Sequence, residues 1–296
     1  MNQHDTSSAA RDVVFRIRRF RPETDEKPYY EDFTVPVPEG MVVLDGLWWI
    51  KENLDASLSW RSSCRMGVCG SCGMMINGKP DLACNTQVLD VAEDLLMLAP
   101  LPNFDIVRDL VPDLAPMLDK HAALMPYTER EDLGQLVDEP EDQLWQTEEQ
   151  LREYLQFSYC IKCGCCMAAC PVVATDPVYS GPMPLAQGYR YMVDTRDDAL
   201  SERRIILSGE MGPWRCHYAG ECSAACPKGV DPARAIQLMK RELVLDYLKL
   251  GKLRRRKAAG HLPAEKRKGR NPDIPEAPEY SVQDAPAPGT DTSGRD

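Results

Sequence analysis

Residues 160–171 read CIKCGCCMAACP and place five cysteines in twelve positions. Cys160, Cys163, Cys166 and Cys170 follow the spacing C-x2-C-x2-C-x3-C, and Pro171 comes directly after. Cys165 falls outside that register. A second run, Cys216-x5-Cys222-x3-Cys226-Pro227, repeats the spacing with one gap: Ala219 stands where the first run has Cys163. Thiols this dense bind something jointly. The first residues, MNQHDTSSAARD, contain no apolar core of a secretory signal, and no apolar stretch follows the arginines of RIRRFR at 16–21. A reducing compartment is therefore expected, where twelve cysteines in a chain of 296 residues point to metal rather than disulfides.

The C-x2-C-x2-C-x3-C-P run is the bacterial ferredoxin pattern, in which the fourth cysteine ligates the cluster of the other run. That exchange fixes the nuclearity. Cys160, Cys163 and Cys166 join Cys226 to make four ligands, enough for a [4Fe–4S] cluster. Cys216 and Cys222 join Cys170 to make three, and a cubane short of one ligand readily becomes [3Fe–4S]. A third group, Cys64-x4-Cys69-x2-Cys72 followed by Cys84, has the plant-type ferredoxin spacing for a [2Fe–2S] cluster. Only eleven residues separate its last two cysteines, fewer than is usual for that type. The glycines of CRMGVCGSCG allow backbone N–H groups to approach the sulfurs. A four-cysteine zinc site is the alternative, although zinc sites favour paired C-x2-C knuckles. Eleven of the twelve cysteines are thus assigned, and Cys165 is left as a bystander. Three clusters in series make an electron wire, with the three-iron cluster the more easily reduced end.

The cysteines occupy two territories, and so does the rest of the pattern. VVFRIRRF (13–20) and YEDFTVPV (30–37) alternate with period two, and MVVLDGLWWIKENL (41–54) spaces Leu44, Leu47, Trp48 and Leu54 as a helix would. MMINGKPDLAC (74–84) carries the hairpin signal Asn77-Gly78. These elements describe a small α+β domain over residues 12–119, after a disordered 1–11. FDIVRDLVPDLAPMLDKH (104–121) is an amphipathic stretch, broken by prolines, that links it to a helical domain over 120–251. In that domain EEQLREYLQF (148–157) leads into the cysteine run. Asp231 and Pro232 open a helix whose apolar stripe is Ile236, Met239, Leu243, Tyr247 and Leu250.

The net charge of −11 speaks against nucleic acid as a partner. No apolar run approaches the ~18 residues of a membrane span. Residues 252–270 hold nine Lys or Arg against the single acid Glu265, and a proline-rich acidic stretch follows. The tail 252–296 is expected to be disordered, either a plain linker or a basic contact for anionic lipid headgroups.

SCRMGVCGSCGMMINGKPDLAC, CIKCGCCMAACP and RCHYAGECSAACPKGVDPARAI, in that order, resemble the iron–sulfur subunit of succinate dehydrogenases and quinol:fumarate reductases over about residues 12–250. The resemblance implies an N-terminal β-grasp ferredoxin domain and a C-terminal all-α helical ferredoxin domain. It implies a separate flavoprotein partner, carrying FAD and the dicarboxylate site beside the two-iron cluster. One or two membrane anchor subunits, often with haem b, would complete a quinone pocket beside the three-iron cluster, and the chain would sit peripherally on the cytoplasmic side of the cell membrane. Such a chain relays electrons and performs no bond chemistry on succinate itself.

The quinone pocket is carried over to Pro171, His217, Gln237 and Lys240, of which Gln237 matches the fumarate reductases better than the ubiquinone-linked dehydrogenases. In ubiquinone-linked relatives a tryptophan after the Cys-Pro donates its indole N–H to the quinone. Here that segment reads CPVVATDP, with Ala174 and Thr175 at those positions, which suits the bulkier menaquinone. Heterodisulfide reductase-like, glycolate oxidase-like and thiol-linked fumarate reductase subunits are the rival readings. The first two normally keep the full cysteine set in both runs, and Ala219 argues against them.

Overall fold

The computed structural model describes residues 10–132, 144 and 146–249. The basic and acidic tail of 252–296, and Leu250 of the expected stripe, lie outside the described residues.

Alternation builds the first half. Strand β1 (Arg11–Arg19) turns Val13, Phe15, Ile17 and Arg19 inward, and pairs antiparallel with β2 (Tyr29–Val37). Arg11, which the sequence reading placed in a disordered segment, belongs to the strand and pairs with Val37, and residues 1–9 lie outside the described residues. Strands β3 (Gly73–Ile76) and β4 (Lys79–Leu82) form the expected hairpin. Its turn residues Asn77 and Gly78 have φ of 48° and 79°, the left-handed pair that such a two-residue turn needs. Strand β5 (Leu95–Ala99) lies between the hairpins, parallel to β1 and antiparallel to β3. The sheet order is β2-β1-β5-β3-β4. Helix α1 (Val43–Asn53) covers its inner face with Leu44, Leu47 and Ile50, while Leu54 at its C-cap is exposed. This mixed sheet with one covering helix is the anticipated β-grasp arrangement.

The amphipathic linker expected over 104–121 is a correction. Its first part is a tight strand pair, β6 (Ile106–Arg108) and β7 (Val111–Pro112). Asp109 makes the turn at φ 43°, and its buried carboxylate accepts hydrogen bonds from Arg19 Nε (3.0 Å), Phe20 N (3.0 Å) and Ser59 N (2.9 Å). Only the second part is helical, a helix over Ala115–Ala122 that packs on the helical half. The boundary placed between residues 119 and 120 therefore runs through a helix.

The second half surrounds the helix Pro182–Met192, which is buried along nearly its whole length. Helices Ala115–Ala122, Glu148–Ser158 and Pro232–Tyr247 pack against it. Glu148–Ser158 starts at a reciprocal cap, in which Thr147 N donates to Gln150 Oε1 (2.8 Å) and Gln150 N to Thr147 Oγ1 (3.3 Å). The last helix is capped by Asp231, which accepts from Arg234 N at 2.9 Å. Its apolar stripe is buried at Ile236, Met239 and Leu243 but ends there, because Tyr247 is 86 % exposed.

The halves meet at the cysteine loops. A Cβ on Gly70 would lie 2.9 Å from both Cα and Cβ of Cys163. Only glycine permits this approach. Asn103 Nδ2 donates to the carbonyls of Met167 (3.0 Å) and Ala168 (3.1 Å), tying the first half to the end of the short helix Cys165–Ala168.

Candidate iron–sulfur sites

The loop 64–72 wraps around its own thiols because Arg65, Gly67 and Gly70 all adopt positive φ. The turns aim backbone N–H groups at sulfur. Cys64 Sγ accepts from Val68 N (3.3 Å) and Cys69 N (3.2 Å), Cys69 Sγ from Ser71 N (3.5 Å), and Cys84 Sγ from Gly67 N (3.3 Å). Cys64 and Cys69 interact through their side chains, as do Cys72 and Cys84, and the charge of Cys69 is felt at Cys72. N–H donors from Cys64 and Ser71, with the Ser71 hydroxyl, lower the Cys69 thiol to about 6. Burial pushes Cys72 up to about 12. Between the ligands, Met66 (72 % exposed) and Val68 point outward. Behind them a layer that the sequence did not disclose supports the loop. The Arg65 guanidinium lies 5.1 Å over Trp48, which meets Trp60 edge-on at 5.1 Å.

The two later runs fold alike. Lys162 and Tyr218, each two residues after the first cysteine, have φ of 56° and 59°. Gly164 and Gly220, two residues further on, have φ of 86° and 82°, and each begins a one-turn helix carrying the next cysteine. Ala219 thus occupies the place of Cys163 in backbone as well as in sequence.

Two hollows result. One is lined by Cys160, Cys163, Cys166 and Cys226. The other is lined by Cys170, Cys216, Cys222 and Ala219. Each contains one cysteine contributed by the opposite run. Cys165 lines neither; it is fully buried among the core residues of the first half, with its sulfur facing Gly73.

The donor set fits iron–sulfur clusters. Burial raises the thiols of Cys160 and Cys166, and raises Cys222 to about 11, so these walls alone favour neutral thiols. Bound iron deprotonates such thiols outright.

The residues carried over for a quinone separate. Pro171 and His217 line the three-thiol hollow, and both are exposed. Lys240 Nζ donates to the Cys216 carbonyl at 2.9 Å. Gln237 does not line the hollow, and its side-chain nitrogen is buried without a partner among the described residues. Thr175 Oγ1 is turned back onto its own helix, 3.2 Å from the Pro171 carbonyl and 3.3 Å from that of Val172. Three aromatic residues at this end escaped the sequence reading. Trp214 and Tyr218 are exposed on either side of Cys216, and Tyr179 is buried in the hollow wall. Adjacency to Cys216 was the available signal for the first two; Tyr179 had none.

Comparison with known proteins agrees with this architecture. The 2Fe-2S iron-sulfur cluster binding domain family matches residues 14–119, and the 4Fe-4S dicluster domain family matches residues 156–230. The fumarate reductase iron-sulfur subunit of Mycobacterium tuberculosis is 44 % identical over 77 % of this chain and 91 % of its own length. Its counterpart in Haemophilus influenzae is 41 % identical over 78 % and 93 %. The mitochondrial succinate dehydrogenase [ubiquinone] iron-sulfur subunit of Dictyostelium discoideum is 37 % identical over 77 % and 81 %. Among solved structures, a chain of the Mycobacterium smegmatis Sdh1 complex in the apo form superposes with a TM-score of 0.72 at 27 % identity, covering 81 % of this chain and 98 % of that one.

Proposed function

We propose how electrons cross this chain, which belongs to the family of fumarate reductase and succinate dehydrogenase iron–sulfur subunits. As the electron-transfer subunit of such a complex, it would hold [2Fe–2S] on Cys64, Cys69, Cys72 and Cys84. Cys160, Cys163, Cys166 and Cys226 would hold [4Fe–4S], and Cys170, Cys216 and Cys222 would hold [3Fe–4S]. Bound, these clusters supply one-electron steps between a two-electron flavin and a quinone. The observation that carries the reading is the crossing of ligands: Cys226 lies in the hollow of the first run, and Cys170 in that of the second.

The residues of the chain do the rest. N–H groups of the 64–72 loop donate to thiolate sulfurs and offset their charge. Gly70 lets that loop touch Cys163, so the first two sites adjoin. Exposed Met66 and Val68 support docking of an FAD-bearing flavoprotein at this end. At the other end Pro171, His217, Trp214 and Tyr218 form an exposed rim, which supports contact with one or two membrane anchor subunits and a quinone. Among the described residues no helix is long and apolar enough to cross a membrane, so attachment, on the cytoplasmic face, is assigned to the anchors. FAD and any haem b belong to these partners.

The quinone is assigned as menaquinone. Ala174 offers no donor, and the Thr175 hydroxyl is engaged with its own helix, so neither supplies the hydrogen bond that an indole N–H gives to ubiquinone. The complex purified from membranes should turn over naphthoquinol analogues faster than ubiquinol analogues. Equal or faster ubiquinol turnover would overturn this assignment.

A further inference from the structure

The segment 176–181 runs beside the three-thiol hollow without supplying a ligand. It is held from several sides. Lys120 Nζ donates to the carbonyls of Pro177 and Tyr179, each at 2.8 Å. Ser180 N donates to the Met211 carbonyl at 3.2 Å, and Asp176 pairs with the Arg215 guanidinium. Gly181 adopts φ 96°, a conformation that L side chains rarely take, against the end of the Met167 side chain. Tyr179 therefore has a fixed position.

That position is chemically pointed. Tyr179 is 1 % exposed, and its ring lines the hollow together with Cys170, Cys216 and Cys222. A phenol hydroxyl taken out of water needs an acceptor. Cys170, Cys216 and Cys222 line the same hollow, and their sulfurs are the acceptors that a donor in this wall faces. A phenylalanine would fill the same space, so packing alone does not require the hydroxyl.

We propose that Tyr179 is a positioning residue for electron transfer, whose O–H donates to a ligand sulfur of the cluster held by Cys170, Cys216 and Cys222 and raises the reduction potential of that cluster. The reason is general. A donor to a ligand sulfur draws off negative charge, and it stabilises the more negative, reduced state more than the oxidised one. The proposal rests on the three-iron assignment above. It makes the quinone-side site a better electron acceptor than its three thiolates alone would make it.

The test is Tyr179→Phe in the full complex, titrated potentiometrically and followed by EPR. The expected result is an unchanged iron content and three-iron line shape, a lowered three-iron midpoint, and unchanged midpoints for the other two clusters. A three-iron midpoint equal to or above that of the wild type overturns the proposal. Absence of any three-iron signal in the wild-type complex would instead overturn the cluster assignment, which separates the two failures.

Discussion

Arg19 shows how much one side chain can organise. Its guanidinium is fully buried at the end of β1, and it binds Asp109 (3.0 Å), Glu31 (2.6 Å) and Asp55 (2.6 Å). Ser57 Oγ accepts from it as well, at 3.1 Å. Buried pairs of this kind matter chiefly through the cost of breaking them, since the remaining partner is left charged and desolvated. Asp55 gives the arrangement a pH signature. Burial alone would raise its carboxyl, but hydrogen bonds from Ser57 and Arg19 prevail and lower it to about 2. The folded pKa thus lies below the unfolded value of about 3.9. This stabilisation is present above about pH 4 and is lost as pH falls through about 2. Asp55→Asn should lower the unfolding midpoint at pH 7, with a deficit that shrinks between pH 4 and pH 2. Tryptophan fluorescence across that range would measure it, and a deficit independent of pH would contradict the account. The same network explains a limit of the sequence reading. Arg19 and Asp109 are 90 residues apart, and nothing local marks them as partners.

At the scale of elements, the close seating of α1 on the sheet depends on Gly46. A Cβ there would lie 2.5 Å from Phe15 Cζ, and Phe15 is fully buried on β1, between β2 and β5. Gly46→Ala gains about 1 kcal/mol of helix propensity. Overpacking a closed core costs about 1–3 kcal/mol, and a ring pinned between strand and helix has little room to yield. The substitution should therefore lower the thermal midpoint of the complex, as calorimetry would show; an equal or higher midpoint would mean that α1 rides up freely. Elements whose signals are local were legible in the sequence. The alternation of β1 and β2, the Asn77-Gly78 turn and the Asp231-Pro232 helix start each depend on neighbours within a few residues. The strand pair at 106–112 was not legible, because its turn is fixed by Arg19 from the far side of the domain. Tyr247 failed for a related reason: periodicity continued past the point where the helix still has a neighbour to pack against.

For the whole molecule, the two halves form a single path because glycines remove the side chains between them. Gly70 abuts Cys163, and a Cβ on Gly73 would come within 3.0 Å of the Cys163 carbonyl. The thiol arithmetic could be read from spacing, since two runs of one pattern imply an exchange of ligands. The docking of the halves could not, because it depends on surfaces that exist only after each has folded. The exchange is the central claim, and one measurement reaches it most directly. EPR with iron analysis on the anaerobically purified complex should be made for the wild type, Cys226→Ser, Cys170→Ser and Cys165→Ser. The wild type should hold about nine irons in this chain. Cys226→Ser should lose the four-iron signal and keep the three-iron one, Cys170→Ser should do the reverse, and Cys165→Ser should keep both. Loss of the three-iron signal in Cys226→Ser, with the four-iron signal intact, would show that each run ligates its own cluster and would contradict the account.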